Sequence, residues 1–432
     1  MKNFFLSSVL LTSVCLTGVS CLNTEETGIS SNPNIITFSL ANAGQGTFGT
    51  QTFTIDNTNN VIYNVDSLPY QSQLDSVIVT VVGESLSAVI INDSIVFTTN
   101  DTLNLSELVT IQTVAQDGET VKTYSLDLRI HQIDPYLYIW TGINSQVYTG
   151  AVTVEKLVHF NGELLLFVDE GNDHIALHRS ADGITWTAST VSGLPAAFDI
   201  RYIVKFSEQL IALHNNVAYF STDGQTWNTR PASGVAVSNL LFAMNDKLYA
   251  LGGSGSALFV AEADSTLAFT GIGELPSPFP ITGAGIYVGT SQSGVPRVFV
   301  VGGKDGNGAL LNTVWSSENG RYWANLASNG VPFTPREGVA VVQYDSLLML
   351  FGGRDASGLA NDIQWVSRSF GITWTLPQDK ETISSLFVPR YDAQIAVNEE
   401  KYTIFIVSGR TSVGFIKDVW RGRKNEKLFL LK

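Results

Sequence analysis

The chain of 432 residues has only 2 cysteines, and both stand near its beginning, at positions 15 and 21. The residues after Cys21 therefore contain neither a disulfide nor a thiol for catalysis or metal binding. Methionine occurs only 3 times, and Asp, Glu, Lys and Arg together make up only 15% of the chain. Few charged residues combined with 38 glycines are typical of an all-β protein with many turns.

Positive charge is also scarce, since 25 Lys and Arg stand against 39 Asp and Glu and give a formal net charge of −14. We therefore expect no nucleic-acid partner, because nonspecific binding of a phosphate backbone needs a positive surface. The chain has 5 histidines. Two of them, His174 and His178, fall on one predicted strand about 13 Å apart and cannot share a small ion. The sequence predicts neither a metal nor a cofactor.

The first 21 residues have the features of a secretion signal. Lys2 is followed by an apolar run from Phe4 to Val19 that is too short to span a bilayer as a helix. The run ends in Gly-Val-Ser-Cys21, which resembles the lipobox of bacterial lipoproteins. The resemblance implies that Cys21 carries a lipid that anchors the chain to a membrane. An ordinary signal peptide with a chance cysteine is the alternative.

Residues 22–33 are polar and predict a tether. Within them, Glu25 and Glu26 resemble the surface-export signal of lipoproteins in the Bacteroidota. This resemblance implies an outer-membrane lipoprotein, and the sequence leaves a periplasmic location and exposure at the cell surface both open.

Residues 34–133 alternate apolar and polar positions in short runs separated by turn residues. The predicted strands are Ile35 to Leu40, Gln51 to Ile55, Val61 to Val65, Ser76 to Val82, Ser87 to Ile91, Ser94 to Thr98, Leu108 to Val114 and Lys122 to Arg129. Seven or eight short strands in about 100 residues are typical of an Ig-like β-sandwich. Residues 113–128 also resemble the closing hairpin of Ig-like and cadherin-like modules, with an inward Tyr124. We expect a spacer without catalytic residues.

A pattern Ser-x-Asp-Gly-x-Thr-Trp occurs at 180–186 and 221–227, with degenerate copies at 316–323 and 367–374. It resembles the Asp-box of sialidases and related propellers, in which Asp accepts turn N–H groups, Gly takes a positive φ and Trp packs between blades. The residues that match are Ser180, Asp182, Gly183, Trp186, Ser221, Asp223, Gly224 and Trp227. The Arg-Ile-Pro phrase that usually precedes the first Asp-box of a sialidase is missing, so we expect no sialidase activity.

An apolar strand that ends in Gly-Gly recurs at 248–253, 298–303 and 347–353, with a weaker copy at 403–409. Together with a later Trp in the same unit, it resembles the kelch repeat. We count six four-stranded units, at 152–190, 199–230, 236–272, 282–326, 336–377 and 390–431. The sequence therefore predicts a kelch-like β-propeller of six blades over residues 134–432, with seven blades as the alternative. Either 428–431 or 136–140 supplies the outer strand of the last unit.

The whole arrangement resembles a Bacteroidota lipoprotein family of unknown function, which implies an architecture and a location but no activity. In a propeller, the starts of the inner strands and the loops after the second strands face one mouth of the central channel. Cations stand at these positions, namely Arg201, Arg336 and Arg390 before inner strands and Lys304, Arg354 and Arg410 after the glycines. We expect this mouth to bind an anionic or polar ligand, such as an acidic glycan or a peptide carboxylate. Aspartates stand close to these cations, at positions 305, 355 and 392. The alternative is therefore that the cations form local ion pairs that brace the loops.

These patterns favour a binding protein, for a glycan or for a partner protein, over an enzyme, and no catalytic residue is predicted. The alternative is a polysaccharide hydrolase or lyase at the channel mouth, because the propeller fold hosts both classes. Two inward carboxylates about 5–9 Å apart would favour the enzyme. The second alternative is a structural subunit of an outer-membrane complex.

Overall fold

A computed structural model describes residues 28–42, 51–93, 95–97, 102–107, 109–143, 146–254 and 257–426. The predicted signal peptide with Cys21, the first part of the predicted tether and residues 428–431 lie outside the described residues, as do Ser94, Thr98 and Leu108 at the ends of predicted strands. The chain divides into two compact units, Met1–Ile133 and Asp134–Lys432. In the described ranges, no helix has the length and apolar character needed to cross a bilayer.

The first unit consists of strands in two sheets. These strands are β1 (Ile35–Asn42), β2 (Phe53–Asp56), β3 (Val61–Asn64), β4 (Val77–Gly83), β5 (Leu86–Ile91), β6 (Ile95–Val96), β7 (Thr102–Leu103), β8 (Val109–Ala115) and β9 (Val121–Asp127). One sheet has the order β1-β4-β7 and the other β2-β3-β9-β8-β5-β6. Every second residue of β8 is buried, as expected of a strand with one face on the core. Both sheets contribute to one hydrophobic core. Its Tyr124 is buried, as predicted, and accepts a hydrogen bond from the Ile35 N–H at 3.2 Å. An all-β first domain is confirmed, and its likeness to Ig domains stays a prediction.

The second unit begins with β10, which returns to the last sheet. Its elements are β10 (Tyr138–Ile143), β11 (Val154–Phe160), β12 (Glu163–Asp169), β13 (Ile175–Ser180), β14 (Thr187–Thr190), the 3-10 helix η1 (Ile200–Tyr202), β15 (Val204–Phe206), β16 (Gln209–His214), β17 (Val217–Ser221), β18 (Asn228–Pro231), β19 (Ser233–Gly234), β20 (Val237–Met244), β21 (Lys247–Ser254), β22 (Ala257–Ala263), β23 (Ala268–Glu274), β24 (Gly285–Thr290), β25 (Pro296–Val301), β26 (Val314–Ser317), β27 (Ala324–Asn325), β28 (Ala340–Tyr344), β29 (Leu347–Phe351), β30 (Arg354–Asp355), β31 (Gly358–Leu359), β32 (Gln364–Ser367), β33 (Gln394–Asn398), β34 (Thr403–Val407), β35 (Arg410–Thr411), β36 (Gly414–Phe415) and β37 (Val419–Lys424).

Six sheets of three or more strands make up this unit in its described part. They are β11-β12-β13-β14, β15-β16-β17-β18, β20-β21-β22-β23 with β19 at its edge, β24-β25-β26-β27, β28-β29-β32 and β33-β34-β37-β10. The outer strand of the last sheet is thus β10, from the alternative at 136–140, and it pairs antiparallel with β37. A strand from the other end of the unit thus covers the edge of β37 and joins the beginning of the unit to its last sheet.

The first strands of the six sheets, β11, β15, β20, β24, β28 and β33, each lie against the next, and β33 lies against β11. The middle of each second strand is apolar, because both of its faces pack against neighbouring sheets. β29 and β34 are buried at every position. Leu157 and Leu166 of the first sheet share a core with Phe405 and Val419 of the last. The all-β fold and the propeller are confirmed by this arrangement and by the comparison below, and the count of six blades stays a prediction.

Each Ser-x-Asp-Gly-x-Thr-Trp turn joins the third and fourth strands of one sheet and packs against a neighbouring sheet. In the first turn, Asp182 accepts hydrogen bonds from the N–H groups of Ile184 and Thr185 at 2.8 and 2.9 Å. These hydrogen bonds, that from Thr185 above all, lower the pKa of Asp182. Gly183 has a φ of +71°, and a Cβ there would lie 2.4 Å from the ring of Phe405 in the last sheet. Only glycine therefore fits both the turn and the contact.

The second turn repeats this geometry one sheet further on. Asp223 accepts the two N–H groups that follow Gly224, at 2.8 and 2.9 Å, and Gly224 has a φ of +76°. Ser221 accepts the Gly224 N–H at 2.8 Å. Trp227 donates its indole N–H to the Gly224 carbonyl at 3.1 Å and packs 6.1 Å from Phe167 of the first sheet. These residues brace the fold and do not face the channel.

Candidate functional site

Three of the six predicted cations, Lys304, Arg354 and Arg410, directly follow sharp turns at the ends of second strands. In two of them the turn is the diglycine, with φ values of +65° and +92° at Gly302 and Gly303 and of +65° and +99° at Gly352 and Gly353. A Cβ on Gly352 would lie 2.1 Å from the Arg390 carbonyl oxygen of the next sheet. The glycines are thus required by left-handed backbone and by a close approach between neighbouring sheets.

The residue after each turn pairs through its backbone with the segment that precedes an inner strand. Isolated antiparallel bridges join Lys304 to Thr282, Arg354 to Glu337 and Arg410 to Tyr391. The Arg354 N–H donates to the Glu337 carbonyl at 2.9 Å, and the Arg410 N–H donates to the Tyr391 carbonyl at 2.7 Å. Three consecutive sheets therefore hold a cation at the same place, at one end of the channel.

A left-handed residue follows each of these bridge partners, two positions before the inner strand. It is Gly283 (φ +67°), Gly338 (φ +67°) and, in the last sheet, Asp392 (φ +53°). The Gly338 N–H donates to the Gly283 carbonyl and the Asp392 N–H to the Gly338 carbonyl, each at 2.8 Å. Aspartate is one of the few side chains that tolerate this conformation. The last sheet thus places a carboxylate where its neighbours have no side chain.

A cavity of about 620 Å³ runs between the inner strands. At this end its lining includes Arg201, Tyr202, Asp392, Arg410 and Phe415. We call the set formed by Arg201, Lys304, Arg354 and Arg410, with the acidic residues Asp199, Glu337 and Asp392, the cationic mouth.

Glu337 is shared by two cations of the cationic mouth. Its Oε1 accepts the Lys304 ammonium at 2.8 Å and the Arg354 Nε at 2.7 Å. Partial burial acts to raise the pKa of Glu337, but the hydrogen bonds from Lys304 and Arg354 outweigh it and lower the pKa. Glu337 is therefore a carboxylate at neutral pH, and it neutralises only one of its two partners.

Asp392 has the opposite shift. Desolvation raises its pKa above the ordinary value, Arg410 opposes the rise, and the neighbouring negative charge of Glu337 adds to it. The Arg410 Nε lies 3.5 Å from an Asp392 carboxylate oxygen. Arg354 and Arg201 also act on Asp392 at longer range. Two carboxylates of one mouth thus have pKa values shifted in opposite directions.

Each arginine of the cationic mouth lies over an aromatic ring. The guanidinium carbon of Arg354 is 4.5 Å from the ring centre of Tyr391, and that of Arg410 is 4.5 Å from the ring centre of Phe415.

Arg201 lies 5.9 Å from the Tyr202 ring. It also pairs with Asp199, whose carboxylate oxygen is 2.6 Å from the Arg201 Nη2, and this pair raises the pKa of the guanidinium. The side chains of Lys304, Arg354, Arg410 and Arg201 are 31%, 44%, 32% and 58% exposed. All four cations are accessible to a ligand.

Arg336 and Arg390, in contrast, are fully buried, and the expectation that they face a ligand is wrong. Arg336 donates to both carboxylate oxygens of Asp362 at 2.9 Å and to the Thr334 carbonyl at 3.0 Å. Arg390 makes the equivalent pair with Asp418. Because the guanidinium donors already have partners inside the protein, these two arginines brace the loops of the last two sheets.

Sequence reasoning did not identify Glu337, Tyr391 and Phe415 as parts of this site. Glu337 and Tyr391 directly follow the buried arginines, and that shared position is the signal that could have found them. Phe415 comes from the hairpin β35–β36, whose place could not be read from local sequence. The described residues contain no group of three or more His, Cys, Asp or Glu side chains arranged to hold a metal ion.

Together these features define a β-propeller protein with a polar, cation-rich opening to its central cavity. The family model described as the DUF6242 beta propeller domain matches residues 134–432. A second model, the DUF6242 N-terminal domain, a domain of unknown function, matches residues 36–128. The chain therefore belongs to the DUF6242 family. The search of curated proteins found no match.

Proposed function

We propose that the propeller is a binding domain and that the cationic mouth recognises a carboxylate-bearing ligand, with an acidic glycan as the favoured class. The observation that carries this proposal is the charge balance of the mouth. Four accessible cations share three carboxylates, because Glu337 pairs with both Lys304 and Arg354. A ligand carboxylate would complete these pairs through charge-assisted hydrogen bonds.

The aromatic rings support a glycan in particular. Tyr202, Tyr391 and Phe415 each lie beside an arginine of the cationic mouth. An aromatic face offers an apolar surface for a sugar ring, and the arginine beside it offers donors for a carboxylate or hydroxyl. A partner protein that presents an acidic segment has the same charge requirement and is the alternative ligand.

The test is binding to an array of acidic and neutral glycans that includes uronic-acid and sialic-acid oligosaccharides. The native protein should bind acidic glycans, and raised salt should weaken the binding. The double variant Arg354→Ala/Arg410→Ala should bind at least about tenfold more weakly, since each charged hydrogen bond contributes about 1.5–3 kcal/mol. Arg230→Ala, which removes an exposed arginine on the outer strand β18, should bind as the native protein does. Equal binding by the double variant would rule out the cationic mouth.

The location proposed for this domain is the outer membrane. The lipobox-like segment, with Cys21 outside the described residues, supports a lipid anchor, and the first domain would then act as a spacer. We also propose that the propeller has six blades and that these blades are built from kelch-like and Asp-box-like repeats. Cys21→Ala should move the protein from the membrane fraction to the soluble fraction and abolish labelling by a palmitate analogue.

A polysaccharide hydrolase or lyase is the second candidate, and the opposite pKa shifts of Asp392 and Glu337 are the observation that favours it. Such a pair can supply a proton donor and a proton acceptor. The release of reducing ends from acidic polysaccharide, lost in Asp392→Asn, would support catalysis. Binding without release supports the binding domain. A purely structural subunit would show neither.

A further inference from the structure

Lys156 brings an amine into the channel, within electrostatic reach of Asp199 of the cationic mouth. It lies in the middle of β11, on the same face of the strand as Val154 and Val158. All three line the 620 Å³ cavity. The other inner strands contribute apolar residues to the same wall, including Leu241, Ile286, Val341 and Ile395.

In the described part of the chain, the Lys156 ammonium has neither a hydrogen bond nor an ion pair. Asp199 is the charged group that favours its protonated form. Arg201 of η1 and Lys205 of β15 line the same cavity, and the opposite neighbour β33 contributes Gln394 and no charged side chain. Lys156 is partly exposed to the cavity, and an unpaired ammonium beside apolar walls loses part of its hydration, which is costly.

We propose that Lys156 is a nucleophilic amine that binds a small aldehyde or ketone in the channel as an imine. The neutral amine nitrogen attacks the carbonyl carbon, and the carbonyl oxygen becomes the hydroxyl of a carbinolamine. Loss of that hydroxyl with the remaining amine proton, as water, forms the carbon–nitrogen double bond. The step needs no oxidant or reductant. It goes beyond ligand binding at the cationic mouth and does not depend on it.

The surroundings of Lys156 favour this chemistry. Burial lowers its pKa to about 8, and the attraction of Asp199 only partly opposes the shift. At pH 7 about one amine in ten would then be neutral, against about one in 2,500 for an ordinary lysine of pKa about 10.4. The cavity volume falls in the range of about 300–1,000 Å³ that small-molecule sites occupy.

Reductive alkylation of the whole protein tests the proposal. The protein is treated with glycolaldehyde and cyanoborohydride at pH 7, and the modified lysines are located by peptide mass spectrometry. Lys156 should react on the order of tenfold faster than Lys205, an exposed lysine that lines the same cavity. The larger neutral fraction of Lys156 favours it, and the lower nucleophilicity of a less basic amine offsets part of that gain. The Lys156 rate should rise with pH to a midpoint near 8. Lys156→Arg should lose only this modification.

Two results would overturn the proposal: a Lys156 rate no higher than that of Lys205, or a midpoint near 10. Tryptophan fluorescence of Lys156→Arg checks that the variant folds. Binding of Lys156→Arg to the acidic glycan array separates the two proposals. Retained glycan binding with lost alkylation means that the amine site is distinct from the cationic mouth.

Discussion

The most direct test of the fold concerns Arg336, which is fully buried among the loops that flank β28, β29 and β32. Arg336→Met keeps the unbranched stem of the side chain but removes the guanidinium with all its donors. The carboxylate of Asp362 then loses two hydrogen bonds of 2.9 Å and keeps the one from the Trp365 indole N–H. The Thr334 carbonyl loses one at 3.0 Å. Removing one partner of a buried ion pair typically costs about 3–5 kcal/mol. Because the Asp362 side chain is 30% exposed and keeps some water, we expect a loss of about 3 kcal/mol.

Tryptophan fluorescence during denaturant unfolding measures this loss, and it reports on the propeller alone because the chain has 8 tryptophans and the first of them is Trp140. The matched control is Arg354→Met, which breaks an ion pair whose arginine is 44% exposed and should cost less than about 1 kcal/mol. The double variant Arg336→Met/Asp362→Asn should lose less than the sum of the single losses, because it leaves no unpaired charge. Equal, small losses for Arg336→Met and Arg354→Met would refute the reasoning.

Two further predictions concern Glu155 and Gly338. Burial raises the pKa of Glu155 to about 7. The folded state therefore keeps a proton that the unfolded state releases near pH 4.5. As a result, the free energy of unfolding should fall by about 3 kcal/mol as pH rises from about 4.5 to above 7. Denaturant unfolding at pH 5 and pH 8 measures this fall. Glu155→Gln, which still accepts the hydrogen bond of Tyr148, should remove most of it. A pH dependence of Glu155→Gln equal to that of the native protein would contradict the assignment of this fall to Glu155. Gly338→Ala should destabilise the propeller by more than about 1 kcal/mol, because its φ of +67° disfavours a side chain and its Cβ would lie 2.7 Å from an Asp392 carboxylate oxygen. Gly308→Ala, at a φ of +80° with no atom within 4 Å of the new Cβ, is the control, and an equal loss in thermal unfolding for both variants would show that backbone strain alone matters.

The sequence predicts the sheets well because turn chemistry and apolar strands are local signals. The third Ser-x-x-Gly turn shows where that approach underrates a repeat. Asn319 replaces the expected Asp, which made this copy look degenerate, yet its side-chain oxygen accepts the N–H groups of Arg321 and Tyr322 at 3.0 Å each. An amide oxygen satisfies the same two donors as a carboxylate.

The site was harder to predict because burial depends on residues far away in the chain. Arg336 and Arg354 both follow turn residues and both precede an acidic residue, so local sequence gives them the same role. Arg336 is buried because Asp362, 26 positions later, lies close enough to pair with it. Sequence alone does not show that pairing, and the repeat pattern only shows that both arginines belong to the same end of the channel.

The last sheet differs from its neighbours at the position that matters most for the site. Where Gly283 and Gly338 keep the entrance free of side chains, Asp392 adopts the same left-handed backbone and adds a carboxylate. That carboxylate gives Arg410 an acidic partner of its own, whereas Lys304 and Arg354 share the single carboxylate of Glu337. The proposed ligand carboxylate would therefore be attracted most strongly to Lys304 and Arg354. The fold repeats its backbone from sheet to sheet, and the proposed ligand would take its orientation from the side chain at this one position.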